Sequence, residues 1–167
     1  MSDKIQILNS KEVDQKIERL AWEVYEHNFE EKEIIIVGIA DRGSNLSIEL
    51  AKHLKSISKM DIKLAKLFLD KDNPYEQDVK LNLTSSEYKD KVIILCDDVL
   101  NSGKTLMFAT KHFLNQRIKK ICTVVLIERN YNIYPIKADF VGLSLATTYQ
   151  QYVKVNLDRR NKAVYLS

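Results

Sequence analysis

Asp97 and Asp98 stand side by side at the end of an apolar run, Val92-Ile93-Ile94-Leu95-Cys96, and Ser102-Gly103-Lys104-Thr105 follows after a short link. The first backbone N–H groups of a helix have no intrahelical partner and lie at the positive end of its dipole, which suits a phosphate. Ser102 and Thr105 add hydroxyl donors, and Gly103 lets the backbone approach closely. A nucleotide-triphosphate loop needs a glycine five positions before Gly103, where Asp98 stands instead. Two carboxylates beside the cradle would repel a polyphosphate. What fits is a monophosphate at residues 102–105 with a sugar nearby, whose hydroxyls Asp97 and Asp98 accept directly or through Mg²⁺.

A second constellation, Gly38-Ile39-Ala40-Asp41-Arg42-Gly43, follows the apolar run Ile34-Ile35-Ile36-Val37. Arg42 can hold phosphate oxygens bidentately, and Gly43 frees backbone N–H groups. Average usage would give a chain of this length about a dozen glycines. There are 4 (Gly38, Gly43, Gly103 and Gly142), all at or just beyond strand-like runs, where backbone geometry demands them. Cys96 and Cys122, in or beside apolar runs, read as buried thiols, and with three scattered histidines they give no metal-ligand spacing.

With 167 residues, 45% apolar and 29% charged, the chain can fill the core of one domain. The net charge of +3 permits an anionic small molecule and does not by itself imply nucleic acid. No apolar run approaches the ~18 residues of a membrane helix. The polar, acid-bearing start resembles neither a secretory signal nor a transit peptide, so a cytoplasmic protein without membrane association is expected.

The elements that must position these residues follow from periodicity. A helix capped by Ser10 carries Val13, Ile17, Leu20, Ala21 and Val24 on one face. A buried strand at 34–37, a loop at 38–43 and a helix with Leu46, Leu50, Ala51 and Leu54 come next. Ile62, Leu64, Leu67 and Leu69 mark a strand, residues 70–79 a polar loop, and Val79, Leu81 and Leu83 a returning strand. The run 92–96 is the clearest strand, followed by a helix with Leu106, Ala109, Phe113 and Leu114 facing inward. Residues 121–127 form another apolar strand, and Phe140-Val141 and Ala163-Val164-Tyr165-Leu166 are short late ones. Buried strands alternating with helices imply an α/β domain whose ligand sits beyond the carboxyl ends of a largely parallel sheet.

The stretch Val92-Ile93-Ile94-Leu95-Cys96-Asp97-Asp98-Val99-Leu100-Asn101-Ser102-Gly103-Lys104-Thr105 resembles the signature by which type I phosphoribosyltransferases bind 5-phosphoribosyl 1-diphosphate (PRPP). Ile36-Val37-Gly38-Ile39-Ala40-Asp41-Arg42-Gly43 resembles their pyrophosphate loop, where a strained or cis peptide occurs in relatives and Asp41–Arg42 is the matching bond. The segment from Arg129 to Gly142, with Lys137-Ala138-Asp139-Phe140-Val141-Gly142, is similar to the base-binding hood of the pyrimidine-operon attenuator/uracil phosphoribosyltransferase group and to a stretch of hypoxanthine-guanine phosphoribosyltransferases. The resemblance covers about residues 13–167. It implies the type I, Rossmann-like α/β fold: a largely parallel central sheet flanked by helices, with a small C-terminal hood. Residues 1–167 would be one domain, with a core at about 10–128 and the hood at about 129–167.

The implied reaction joins a nucleobase to PRPP and releases pyrophosphate. Asp41, Arg42, Gly43, Asp97, Asp98, Asn101, Ser102, Gly103, Lys104 and Thr105 would bind PRPP, with Asp97, Asp98, Asn101 and Arg42 closest to the chemistry. Mg²⁺ would be held mainly by substrate oxygens and water, reaching Asp97 and Asp98 through ribose hydroxyls or water. Phe140 would stack on the base, the Val141 backbone would read its edge and Lys137 would meet a carbonyl oxygen. The polar stretch Lys71-Asp72-Asn73-Pro74-Tyr75 lies where the family carries a mobile lid, and a homodimer is implied as well.

Asn101 departs from the purine-specific relatives, which place there an aspartate that exchanges a proton with the base. Asparagine cannot titrate. This favours uracil over hypoxanthine or guanine. The other reading is a regulator that senses PRPP or nucleotides and binds RNA through an early helix, here Glu18-Arg19-Leu20-Ala21-Trp22-Glu23. Glu18, Glu23 and Glu26 would repel phosphates there, which disfavours RNA, and Trp22 reads as core or dimer interface.

Overall fold

The computed structural model describes residues 4–76, 78–158 and 160–167. Nine apolar or apolar-flanked residues in a row leave no polar face, so strand β5 (Val92–Leu100) can exist only with both sides covered, and it is buried throughout. It lies inside a six-stranded sheet with β2 (Glu33–Ile39), β3 (Asp61–Phe68), β4 (Lys80–Leu81), β6 (Lys120–Arg129) and β7 (Phe140–Leu145), in the order β4-β3-β2-β5-β6-β7. Every pairing is parallel except that of β4, which returns beside β3 as the alternating Val79, Leu81 and Leu83 imply.

Two helices cover one face, α1 (Ser10–Asn28) and α2 (Ala40–Ile57), and α4 (Lys104–Phe113) covers the other. The short α3 (Ser85–Tyr88) puts Tyr88 beside α4. Strand alternation decides which residue meets which layer: Ile34, Ile36, Ile94 and Cys96 face α1 and α2, whereas Ile35, Val37, Ile93 and Leu95 face α4. Carried one step further, the alternation sends Asp97 to the α4 side and Asp98 to the α2 side. Both cysteines are free, buried thiols, and burial pushes each up from its ordinary value.

Several sequence expectations are corrected. The cap of α1 is Asn9, whose side chain accepts from the Glu12 N–H while Glu12 answers the Asn9 N–H, so Ser10 is already helical. No loop separates β2 from α2: Gly38 is inside the strand, and residues 40–43 form the first helical turn. A Cβ at Gly38 would collide with the Ser44 backbone, so its absence lets the helix fold straight back. Leu114 is exposed, because α4 ends at Phe113. Trp22 is 44% exposed and is not core.

The hood boundary near residue 129 is corrected too. β7 belongs to the main sheet, and the hood is a separate antiparallel sheet of β1 (Ile5–Leu8), β9 (Ala163–Leu166) and β8 (Val153–Asn156), in the order β1-β9-β8. It therefore borrows its outer strand from the amino-terminal end of the chain. Among the described residues, no helix is long and apolar enough to cross a membrane.

A buried ion cluster fastens this small sheet to the helices. The Lys162 Nζ, just before β9, donates to Asp14 of α1 at 2.6 Å and to Glu49 of α2 at 2.7 Å. Glu49 and Lys162 are both buried. Removing the cation would leave the Glu49 carboxylate buried without a partner. Lys162→Met should therefore lower unfolding stability in urea by about 3 kcal/mol, whereas a double change to Lys162→Met and Glu49→Leu should recover most of it.

Candidate active site

The carboxyl edge of the sheet is where β5 runs out and α4 begins. Gly103 makes the turn with φ 85°, a left-handed conformation that other residues adopt at a cost, and a Cβ there would sit 2.6 Å from Ile136. No side chain caps α4 directly. Ser102 Oγ accepts weakly from the Lys104 N–H at 3.3 Å. The N–H groups of the first turn are thus left toward a cleft of about 340 Å³ that Asp97, Asp98, Asn101, Ser102, Gly103, Lys104 and Thr105 line together with Arg42, Lys71 and Val153.

Asp97 and Asp98 are 2% and 3% exposed. The Lys71 Nζ reaches across from the 70–79 segment to within 3.0 and 3.3 Å of the two Asp97 oxygens. Arg42 Nη1 lies 3.9 Å from Asp98 Oδ2, and that oxygen is buried with no hydrogen-bond partner. Burial pushes the Asp97 carboxyl up to about 7; the Lys71 ammonium pulls it back down, and the neighbouring Asp98 pushes it up further. A buried acceptor without a donor asks for one from outside, and a sugar hydroxyl or a metal-bound water would supply it.

Among the described residues, no cluster of three or more His, Cys, Asp or Glu side chains could hold a metal ion.

Arg42 reaches the cleft because Gly43 lets α2 lie directly on β5: a Cβ at residue 43 would overlap the Cys96 carbonyl oxygen. The residue bearing strain is Ala40, at φ 51°, and the peptide bonds of the described residues are all trans, including Asp41–Arg42. Asp41 does not face the cleft. Its carboxylate is solvent-exposed and bonded to Lys66 of β3 at 2.5 Å.

Residues 4–159 match the phosphoribosyl transferase domain. This chain belongs to the phosphoribosyltransferase family. It is 34% identical over 167 aligned residues to the bifunctional protein PyrR of Alkaliphilus metalliredigens, covering 94% of this chain and 90% of that one. It is 33% identical over 164 residues to the bifunctional protein PyrR of Clostridium acetobutylicum, covering 94% and 92%. A hypoxanthine-guanine phosphoribosyltransferase from Bacillus anthracis superposes with a TM-score of 0.74 at 19% identity over 89% of this chain and 86% of that one. The hypoxanthine phosphoribosyltransferase of Trypanosoma cruzi gives 0.74 at 13% identity over 89% and 83%. The fold is the type I phosphoribosyltransferase fold, as the resemblance implied.

Against this phosphoribosyltransferase frame the three expected base contacts are misplaced. Parallel register sets Phe140 level with Val124 and Cys96, well below the edge where Leu100, Glu128 and Ser144 align. The Phe140 ring is buried edge-on against His27 of α1, 4.9 Å between centroids. Val141 and Gly142 present their carbonyl oxygens to Arg19, at 2.9 and 2.6 Å. Lys137 is exposed and does not line the cleft.

Val153 is a cleft residue that the sequence reading passed over, and Lys71 and Arg129, read there only as parts of the lid and hood segments, meet cleft residues directly. Val153 lines the cleft from β8, and the alternating Val153, Val155 and Leu157 could have revealed that strand. Lys71 sits on Asp97. Arg129, a cation at the end of an apolar strand, is 6% exposed and bonds to Asn101.

The raised Asp97 carboxyl carries a stability signature. Between about pH 4, where an unfolded aspartate ionises, and the folded value of about 7, the native state keeps a proton that the unfolded chain has released. Stability must therefore fall as pH rises through that window and level off above it. Melting curves from pH 4 to 8 should show this decline. Asp97→Asn should flatten it and raise the melting temperature at pH 8 by about 2–6 °C.

Proposed function

We propose that this chain transfers the 5-phosphoribosyl group of PRPP to a pyrimidine base, uracil, and releases pyrophosphate. The observation that carries this is the juxtaposition of two buried carboxylates, one with an unpartnered oxygen, and the uncapped first turn of α4 in one cleft. The 5′-phosphate is held by the N–H groups and hydroxyls of residues 102–105. The ribose hydroxyls donate to Asp97 and Asp98, whose negative charge also favours the cationic sugar that forms as the leaving group departs.

Arg42 faces the diphosphate. It also borders a second cleft of about 660 Å³ with Lys4 and Lys154, so the departing anion has a cationic surround. Mg²⁺ bound with the substrate would offset charge on the pyrophosphate. N1 of the base bonds to C1′ as the bond from C1′ to the pyrophosphate oxygen breaks, and the N1 proton leaves to solvent, since Asn101 cannot accept it. The base rests against Val153.

Arg19 is committed to the Val141 and Gly142 carbonyls and to Glu23, which leaves the early helix poorly equipped for phosphate contacts. The RNA-binding regulator is therefore the weaker reading.

The direct test is nucleotide formation from radiolabelled uracil or hypoxanthine with PRPP and Mg²⁺. Uracil should be the faster substrate, and Asp98→Asn should lower kcat/KM by about a hundredfold or more. Faster turnover of hypoxanthine would reject the assignment of base. A second expectation concerns the segment lying across the cleft. Lys71 competes with the sugar for Asp97, so Lys71→Met should bind ribose 5-phosphate about threefold to tenfold more tightly by calorimetry. Weaker binding would show that Lys71 itself holds the ligand.

A further inference from the structure

Asn101 is the first residue after β5 and lines the cleft. Its carboxamide has an acceptor end and a donor end, and its neighbour determines which end is engaged. Arg129 Nη1 lies 3.0 Å from Asn101 Oδ1. A guanidinium has donors only, so the oxygen must face it and the Nδ2 hydrogens must face away.

Arg129 cannot turn aside. Its Nε donates to Thr147 Oγ1 at 2.8 Å and its Nη2 to the Thr148 carbonyl at 3.2 Å. The Tyr131 ring lies 5.9 Å from the guanidinium carbon. Arg129 itself is 6% exposed, and the contact to Arg129 is the one side-chain hydrogen bond of Asn101 among the described residues.

We infer that Arg129 locks the Asn101 amide so that the cleft meets its base with N–H donors, and that this pair selects a base with a carbonyl oxygen beside the reacting nitrogen. The 2-carbonyl of a pyrimidine is that group. A purine attacking through N9 has no carbonyl beside that nitrogen, only the ring nitrogen N3 on one side and a C–H on the other. Asn101 is the contact and Arg129 a positioning residue acting through it. The inference rests on the cleft being the PRPP site.

The test uses the full chain and binding alone. Ribose 5-phosphate, UMP, 2-thio-UMP and 4-thio-UMP are titrated by calorimetry. Sulfur is a poor acceptor, so 2-thio-UMP should bind about tenfold more weakly than UMP, while 4-thio-UMP stays within about twofold. In Arg129→Gln the neighbour offers both a donor and an acceptor, the amide is free to turn, and the discrimination between the two thio-nucleotides should collapse. Arg129→Lys, again donor-only, should restore it. A purely steric effect of sulfur would survive in the glutamine variant.

Ribose 5-phosphate binding with equal affinity for the two thio-nucleotides in the native chain would overturn this inference and leave the sugar-phosphate site standing. Full discrimination retained in Arg129→Gln would remove Arg129 from it. Failure of ribose 5-phosphate to bind would overturn the site itself.

Discussion

Two adjacent carboxylates kept out of water at the end of a central strand are the constraint around which this molecule is arranged. Like charges at such spacing are costly in a low-dielectric surround, and a hydrophobic pair would pack there with less penalty. Their burial makes sense only if something else completes them. Lys71 does so in part for Asp97, and Arg42 stands near Asp98 without closing a hydrogen bond. The remaining acceptor capacity faces the same cleft as the unpaired amides of α4. A ligand with both hydroxyls and a phosphate satisfies the two at once.

The strand itself distributes the work. Because consecutive side chains point to opposite faces, Asp97 looks toward α4 and the 70–79 segment, while Asp98 looks toward the first turn of α2. Each helix begins where its preceding strand ends; α2 lies on β5 at Gly43, and the turn into α4 at Gly103 packs against Tyr134 and Ile136. In the proposed PRPP complex, the phosphate end and the diphosphate end of the ligand would be served from opposite faces of one sheet. The hood closes the third side, tied down by the Lys162 cluster across α1 and α2.

Most of this frame was legible from residue order. Runs such as 34–37, 92–96 and 121–127 have no polar face, and they became the buried parallel strands. The paired acids and the Ser102–Thr105 turn were readable because chemistry there depends on neighbours in the chain. Failures came where the relevant neighbour was distant. Phe140 and Val141 looked like base contacts, yet parallel register with β6 set them below the carboxyl edge of the sheet. Ser10 looked like a cap, but Asn9 held the better geometry with Glu12. β1 and β8 are four residues each and draw their order from pairing with β9, and that pairing is shown by no local pattern, even though alternation marks β8 itself as a strand.

Local sequence by itself determined the strand–turn–helix units, the glycines that let helix and strand touch, and the placing of two acids beside a helix start, since all of these depend on residues within a few positions of one another. Tertiary structure decided which cations meet those acids, which way the Asn101 amide points, and which late strand lines the cleft. Lys71 lies 26 residues from Asp97, and Arg129 lies 28 from Asn101. Such partners are chosen by strand order and register, quantities that arise only once the whole sheet has assembled.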